Sequence, residues 1–206
     1  MKKQGFWNLP NTLTVMRIAV VPVMVVLLEH EPSRLEAIVA CGIFVAAMIT
    51  DIIDGYLARK WGLTSVMGAF LDPLADKLMV ATTMIMLVFL GWLPAWAAAV
   101  IICRELTITA LRTVALSEGL MMPADSLGKF KTSFQSTAIG CLLWHYPSVL
   151  WPPLGLGDKK VIVDVHSAGL VLLYIAVGFT LLSAWNYLTV FYRHAAAKER
   201  SETGAA

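Results

Sequence analysis

Long apolar runs alternate with short polar stretches along the whole chain. Thr12–Leu28, Leu35–Lys60, Gly68–Leu90, Ala95–Leu116, Gly128–Trp144 and Ser167–Tyr192 each approach the length a helix needs to cross a bilayer. The pattern predicts an all-α, polytopic membrane protein with six transmembrane helices. Asn11 or Thr12 is the expected N-cap of the first helix, and Pro22 a tolerated kink within it. Before it, Lys2, Lys3, Phe6 and Trp7 suit a short N-terminal interfacial segment. Lys2 and Lys3 ahead of an apolar run resemble a signal peptide, but that run ends in EHEPSR, without a small-residue cleavage site. Residues 1–194 read as one membrane domain. Residues 195–206, within AAAKERSETGAA, read as a disordered cytoplasmic tail. The segment Tyr146–His166, rich in Pro, Gly and Trp, reads as an irregular outer connection.

Charged residues break the apolar pattern at a few places. Four aspartates fall in otherwise apolar sequence, as Asp51/Asp54 and Asp72/Asp76. The spacings i,i+3 and i,i+4 put each pair on one helix face. Counting ~1.5 Å per residue from Ala37 places Asp51 ~21 Å into a slab ~30 Å thick. The antiparallel third helix brings Asp72 and Asp76 to the same level. Ionised carboxylates at such depth are costly unless paired, and no cation lies on those two faces. With no His or Cys nearby, four carboxylates select a hard, oxygen-loving cation, Mg²⁺ or Mn²⁺, and two ions would balance their charge. Asp51, Asp54, Gly55 and Ala58 follow one helical stripe, acidic at one end and without bulk at the other.

Other polar residues are more ambiguous. Arg17 fits snorkelling to headgroups or facing a phosphate equally well. Lys77 points about 100° from Asp76 and fits snorkelling. Glu105, Thr109 and Arg112 share a face of the fourth helix, where a Glu105–Arg112 pair is the simplest arrangement. Lys129 and Lys131 suit either inside-flank charges or a ligand site.

The composition is 58% hydrophobic and 15% charged, with a mean hydropathy of +0.73, too apolar for an ordinary soluble domain. Cys41, Cys103 and Cys141 lack disulfide or zinc spacing and suit core packing. His30, His145, His166 and His194 read as structural or interfacial. Six spans place both termini on one side, with Lys2, Lys3, Arg59, Lys60, Lys129, Lys131, Arg193, Lys198 and Arg200. Arg34, Lys159 and Lys160 fall on the other. The positive-inside rule makes the first side cytoplasmic, so the aspartates open to the cytoplasm. No nucleic-acid partner is expected.

Read as D-x2-D-G-x2-A-R-x8-G-x3-D-x3-D, residues Asp51 to Asp76 match the signature of the CDP-alcohol phosphotransferases at every fixed position. The chain resembles that family. Within it, NLPNTLTVMRI at Asn8–Ile18, CRELTITALR at Cys103–Arg112 and GKFKT at Gly128–Thr132 resemble bacterial phosphatidylglycerophosphate synthases. Asn11, Thr14 and Arg17 fall in the first segment and are possible accessory residues.

The resemblance implies an enzyme of phospholipid biosynthesis in a bacterial inner membrane, acting as a homodimer among membrane lipids. It implies a CDP-diacylglycerol donor, CMP as leaving group and glycerol 3-phosphate as acceptor. In the family Asp51, Asp54 and Asp72 hold one ion, and Asp51, Asp72 and Asp76 the other, with Asp76 also the proposed general base. Asp54, Gly55, Ala58, Arg59 and Gly68 would receive the CDP moiety. A dianionic acceptor needs cations beyond Arg59, and Arg104, Arg112, Lys129 and Lys131 stand on the same side. A member using inositol phosphate, serine or phosphatidylglycerol is the main alternative. A divalent-cation transporter would place its acids nearer mid-membrane, and a scaffold would not need them.

Overall fold

The computed structural model describes residues 9–61, 66–117, 126–150 and 161–203. Within them run six helices: α1 (Leu9–Leu28), α2 (Arg34–Trp61), α3 (Val66–Phe89), α4 (Ala95–Ser117), α5 (Ser126–Trp144) and α6 (Val165–Thr203). The element order follows the apolar runs, and most boundaries move by only one or two residues. The first helix starts at Leu9, ahead of the expected Asn11 or Thr12 cap, and carries Pro22 inside it. Pro73 also lies inside its helix, α3.

Two departures are larger. The connection between α5 and α6 contains a two-stranded antiparallel ribbon, β1 (Ser148–Leu150) and β2 (Val161–Val163), with Val149 opposite Ile162. Three-residue strands are too short to leave a periodic signal. α6 continues to Thr203, past the point where composition predicts a tail. The residues it adds include Ala, Lys, Glu and Arg, all good helix formers.

Local signals explain the starts. Ser33 and Glu36 form a capping box on α2: the Glu36 N–H donates to Ser33 Oγ (3.3 Å), and the Ser33 N–H donates to Glu36 Oε2 (2.7 Å). Asp164 caps α6 by accepting from the Ser167 N–H (3.2 Å) and hydroxyl (2.5 Å). Gly91, at φ 71°, makes the turn between α3 and α4.

α1 packs on α3 and α2, α5 on α6 and α2, and α4 on α6. Met24, Leu28, Phe44, Met79, Met84, Leu87, Ile101, Ile139, Leu142, Leu143 and Leu173 fill the centre. α5 and α6 approach closely at Gly169, where a Cβ would stand 3.0 Å from Cys141 Cβ and 3.1 Å from the Leu142 backbone nitrogen. Cys41 is buried and donates to the Gly140 carbonyl, whereas Cys103 is exposed, so only part of the expected cysteine packing holds.

Large apolar side chains also cover the outside. Ile52, Tyr56, Leu181, Leu182 and Trp185 are all more than half exposed. Such an exterior suits lipid rather than water. Two helical stretches, Arg34–Leu57 and Val165–Arg193, are long and apolar enough to cross a membrane; Thr12–Leu28 is apolar but shorter. α3 and α4 are interrupted by the charged residues that form the site.

Candidate functional site

The site begins with α1. Thr14 and Arg17 stand about one turn apart on its inner face and are both buried. Arg17 Nη1 lies 2.7 Å from Asp51 Oδ1, and its Nη2 donates to Asp54 Oδ2 at 2.9 Å. The Thr14 hydroxyl donates to Asp72 Oδ1 on α3. One face of α1 thus ties together the two acidic pairs. Of the two roles expected for Arg17, snorkelling does not hold, because its side chain is 1% exposed; it faces the carboxylates of the site. The charge balance expected from the sequence changes too, because a third helix supplies the missing cation.

α2 presents Asp51 and Asp54 inward because Ile52, Ile53 and Tyr56 occupy its outer face. Asp54 lies in electrostatic reach of Asp51 and Asp72, and Asp76 in reach of Asp51, Arg17, Lys77 and Glu105. The four aspartates therefore share one neighbourhood. Among the described residues, however, no three His, Cys, Asp or Glu side chains converge as a ready metal-binding group. Asp51 and Asp54 converge instead on the Arg17 guanidinium. The donor set, carboxylate oxygens beside a threonine hydroxyl, suits a hard divalent cation in chemistry. A cation is already wanted at this place, since a guanidinium bridges two of the acids. A divalent ion there would share these carboxylates with Arg17 or displace it from Asp51 Oδ1 and Asp54 Oδ2.

Gly68 is buried at the start of α3, and Gly55 sits one residue beyond Asp54. The side chains of Asn11, Ala58, Arg59 and Lys129 lie outside the described residues.

A small groove of about 90 Å³ opens beside Asp76 between α3, α4 and α5. Asp76, Lys77, Glu105, Lys131, Thr132, Gln135 and Ser136 line its polar part. Val80, Ala81, Met84, Ile101, Ile102 and Leu106 line the rest. Glu105 does not pair with Arg112. Its Oε1 receives Arg104 Nη1 at 2.7 Å and the Lys131 ammonium. Lys131 is buried, so it belongs to the interior and not to a flanking surface. Lys77 donates to the Thr109 hydroxyl at 2.7 Å and so bridges α3 to α4.

Two site residues on α6 escaped the sequence reading. Arg104 Nη2 donates to Ser183 Oγ at 2.7 Å, and Arg112 Nη2 donates to the Tyr187 hydroxyl at 2.8 Å. The Arg112 guanidinium also lies 5.7 Å from the Tyr187 ring centre. Thr180, Ser183 and Tyr187 follow i, i+3, i+7 and are all buried. That polar stripe within an apolar helix was the available signal.

Comparison with known proteins identifies the family. The family described as CDP-alcohol phosphatidyltransferase matches residues 7–182. The chain belongs to that family. It is 36% identical over 197 residues to a CDP-diacylglycerol–glycerol-3-phosphate 3-phosphatidyltransferase of Bacillus subtilis, covering 89% of this chain and 94% of the relative. It is 38% identical over 186 residues to a probable phosphatidylglycerophosphate synthase of Mycobacterium tuberculosis, covering 88% and 80%. A Haemophilus influenzae protein named as the Bacillus enzyme is 35% identical over 189 residues, covering 89% and 93%.

Proposed function

We propose that the chain transfers the phosphatidyl group of CDP-diacylglycerol to sn-glycerol 3-phosphate, giving phosphatidylglycerophosphate and CMP. The names of its relatives support this reading. The observation that carries it is the meeting of Asp76, Lys131 and Glu105 in one groove, with Arg104 paired to the same glutamate. A candidate base thereby stands beside candidate phosphate-binding cations.

In this reaction the acceptor's terminal hydroxyl oxygen forms a bond to the phosphorus bearing diacylglycerol. The bond from that phosphorus to the bridging oxygen of CMP breaks, and CMP leaves with that oxygen. The hydroxyl proton passes to Asp76. Arg104, Arg112 and Lys131 hold the acceptor phosphate, and Lys129 and Arg59 are assigned to phosphate groups from sequence alone. Gly55, Ala58 and Gly68 leave room for the cytidine. Asp51, Asp54, Asp72 and Asp76 would hold Mg²⁺ or Mn²⁺, in two ions. Such ions, when bound, neutralise the charge that develops around a phosphorus centre under in-line attack. Arg17 remains beside them as a further cation.

The reading extends to six membrane spans, cytoplasmic termini, a cytoplasmic active site in a bacterial inner membrane and a homodimer. The placement of Lys and Arg and the apolar exterior support the spans and their orientation, and the family resemblance supports the homodimer. The test is CMP release from CDP-diacylglycerol by purified protein in Mg²⁺. Glycerol 3-phosphate should support turnover, whereas serine, inositol phosphate and phosphatidylglycerol should not. Turnover with one of these three alone would replace the acceptor and keep the reaction class.

A further inference from the structure

We propose that Glu105 reads the second hydroxyl of the acceptor, and so selects a polyol phosphate over a simple alkanol phosphate. The proposal rests on the reading above, that a hydroxyl-bearing phosphate monoester enters the groove beside Asp76.

The arrangement of charge around the groove is the first support. Lys131 and Arg104 can only donate hydrogen bonds, and ionised carboxylates can only accept them. A phosphate is therefore held at the cations, and hydroxyl groups donate to the carboxylates. Two carboxylates line this groove, Asp76 from α3 and Glu105 from α4. Asp76 is assigned to the reacting hydroxyl. Glu105 stands between the two ends of the acceptor: it contacts Lys131 and lies within electrostatic reach of Asp76. In glycerol 3-phosphate the middle hydroxyl likewise stands between the reacting hydroxyl and the phosphate.

The second support is how Glu105 is held. Arg104 Nη1 and Lys131 Nζ both meet Oε1. Their convergence on one oxygen leaves Oε2, among the described residues, for another donor, and the side chain is 30% exposed beside the groove. Arg104 is in turn anchored to Ser183 of α6, so the carboxylate is fixed from two helices before any acceptor arrives. A fixed, charged acceptor with one free oxygen is suited to recognising a hydroxyl, because an analogue without that hydroxyl leaves the oxygen unpaired.

The test compares kcat/KM for glycerol 3-phosphate and for 3-hydroxypropyl phosphate, which lacks the middle hydroxyl. The wild type should prefer glycerol 3-phosphate by about tenfold or more. In Glu105→Ala the preference should fall toward one, and in Glu105→Gln it should fall in part, since a neutral amide oxygen still accepts. Glu105→Gln keeps the side chain's shape and serves if the alanine variant does not fold. A glutamate that merely braces Lys131 would, on removal, slow both substrates alike and leave the ratio unchanged. A wild-type ratio near one, or an undiminished ratio in the variants, overturns the proposal. Absence of wild-type turnover with glycerol 3-phosphate, alongside turnover of another acceptor, instead overturns the choice of acceptor on which it rests.

Discussion

Arg17 of α1 donates to Asp54 of α2 at 2.9 Å, with the two side chains 1% and 6% exposed. The same guanidinium meets Asp51, so one residue compensates two acids that the apolar surroundings would otherwise penalise. Removing one partner of a buried pair costs roughly 3–5 kcal/mol, because the other charge is left uncompensated. Arg17→Met should therefore lower the melting temperature of the detergent-solubilised protein in chelator. If divalent ions use the same carboxylates, Mg²⁺ should restore more stability to the variant than to the wild type. An equal Mg²⁺ response in both proteins would separate Arg17 from the ion site.

The aspartates test the metal and, only in part separately, the base, because Asp76 is assigned to both. Asp51→Asn, Asp54→Asn and Asp72→Asn should each lose turnover and the Mg²⁺-induced rise in melting temperature together. Asp76→Asn should keep measurable donor binding while turnover falls by ~10²–10⁴, the usual contribution of a positioned proton acceptor. Full activity in excess chelator would remove the metal from the reaction. Near wild-type turnover by Asp76→Asn would move the proton to another group.

Much of this arrangement was legible in the sequence, and the limit of that legibility is specific. Spacing puts Asp51 with Asp54 and Asp72 with Asp76 on helix faces, and the structure brings these faces into one neighbourhood. Spacing also puts Glu105 and Arg112 on one face, yet Glu105 pairs with Arg104 and Lys131, and Arg112 with Tyr187. Periodicity tells which residues share a face, but not which neighbouring helix that face will meet. Arg17, Lys131, Ser183 and Tyr187 all find their partners across helices, so their roles depend on packing that no local pattern encodes. The β1–β2 ribbon was hidden for a different reason, since three residues are too few to establish a period.

Tyr187 tests whether α6 tunes the acceptor site. Its hydroxyl accepts from Arg112 at 2.8 Å, and it is buried. Tyr187→Phe keeps the ring under the guanidinium and removes that charge-assisted hydrogen bond, of a kind worth about 1.5–3 kcal/mol. The acceptor KM should rise by roughly tenfold or more at about 1.4 kcal/mol per decade, with donor KM unchanged. A matched shift in both KM values would point to general loosening of α4 against α6.

Packing between α5 and α6 gives a test independent of the chemistry. A Cβ at Gly169 would stand 3.0 Å from Cys141 Cβ and 3.1 Å from the Leu142 backbone nitrogen. Backbone cannot give way as a flexible side chain end can. Gly169→Ala should therefore destabilise by ~1–3 kcal/mol, as overpacking usually does. Thermal unfolding in detergent measures it, and an unchanged midpoint would mean that the helices separate freely there.

At the connection between α5 and α6, the structure links stability to pH through His145. It follows α5 with φ 50°, in the left-handed region, and its ring stacks on Trp92 with centroids 3.7 Å apart. Its Nδ1 lies 3.2 Å from Nδ1 of His166, and the adjacent Tyr146 hydroxyl donates to the Pro32 carbonyl at 2.8 Å. This cluster joins the α1–α2 loop, the α3–α4 turn and the α5–α6 connection. Burial, and then the neighbouring His166, hold the His145 pKa below its ordinary 6.5, with Asp164 opposing. The unfolded chain therefore binds a proton at higher pH than the folded chain. The stability His145 contributes is fully present above about pH 6.5, and it is lost as pH falls through the lower folded value. Asp164 does not titrate in this window, because its bonds with Ser167 hold its carboxyl below the ordinary 3.8. Melting temperatures measured between pH 8 and pH 5 should thus decline for the wild type on the acid side. His145→Asn, which tolerates the left-handed backbone, should melt lower overall because it loses the stack, but with a flatter profile. If the variant keeps the wild-type slope, the acid sensitivity belongs to a group other than His145.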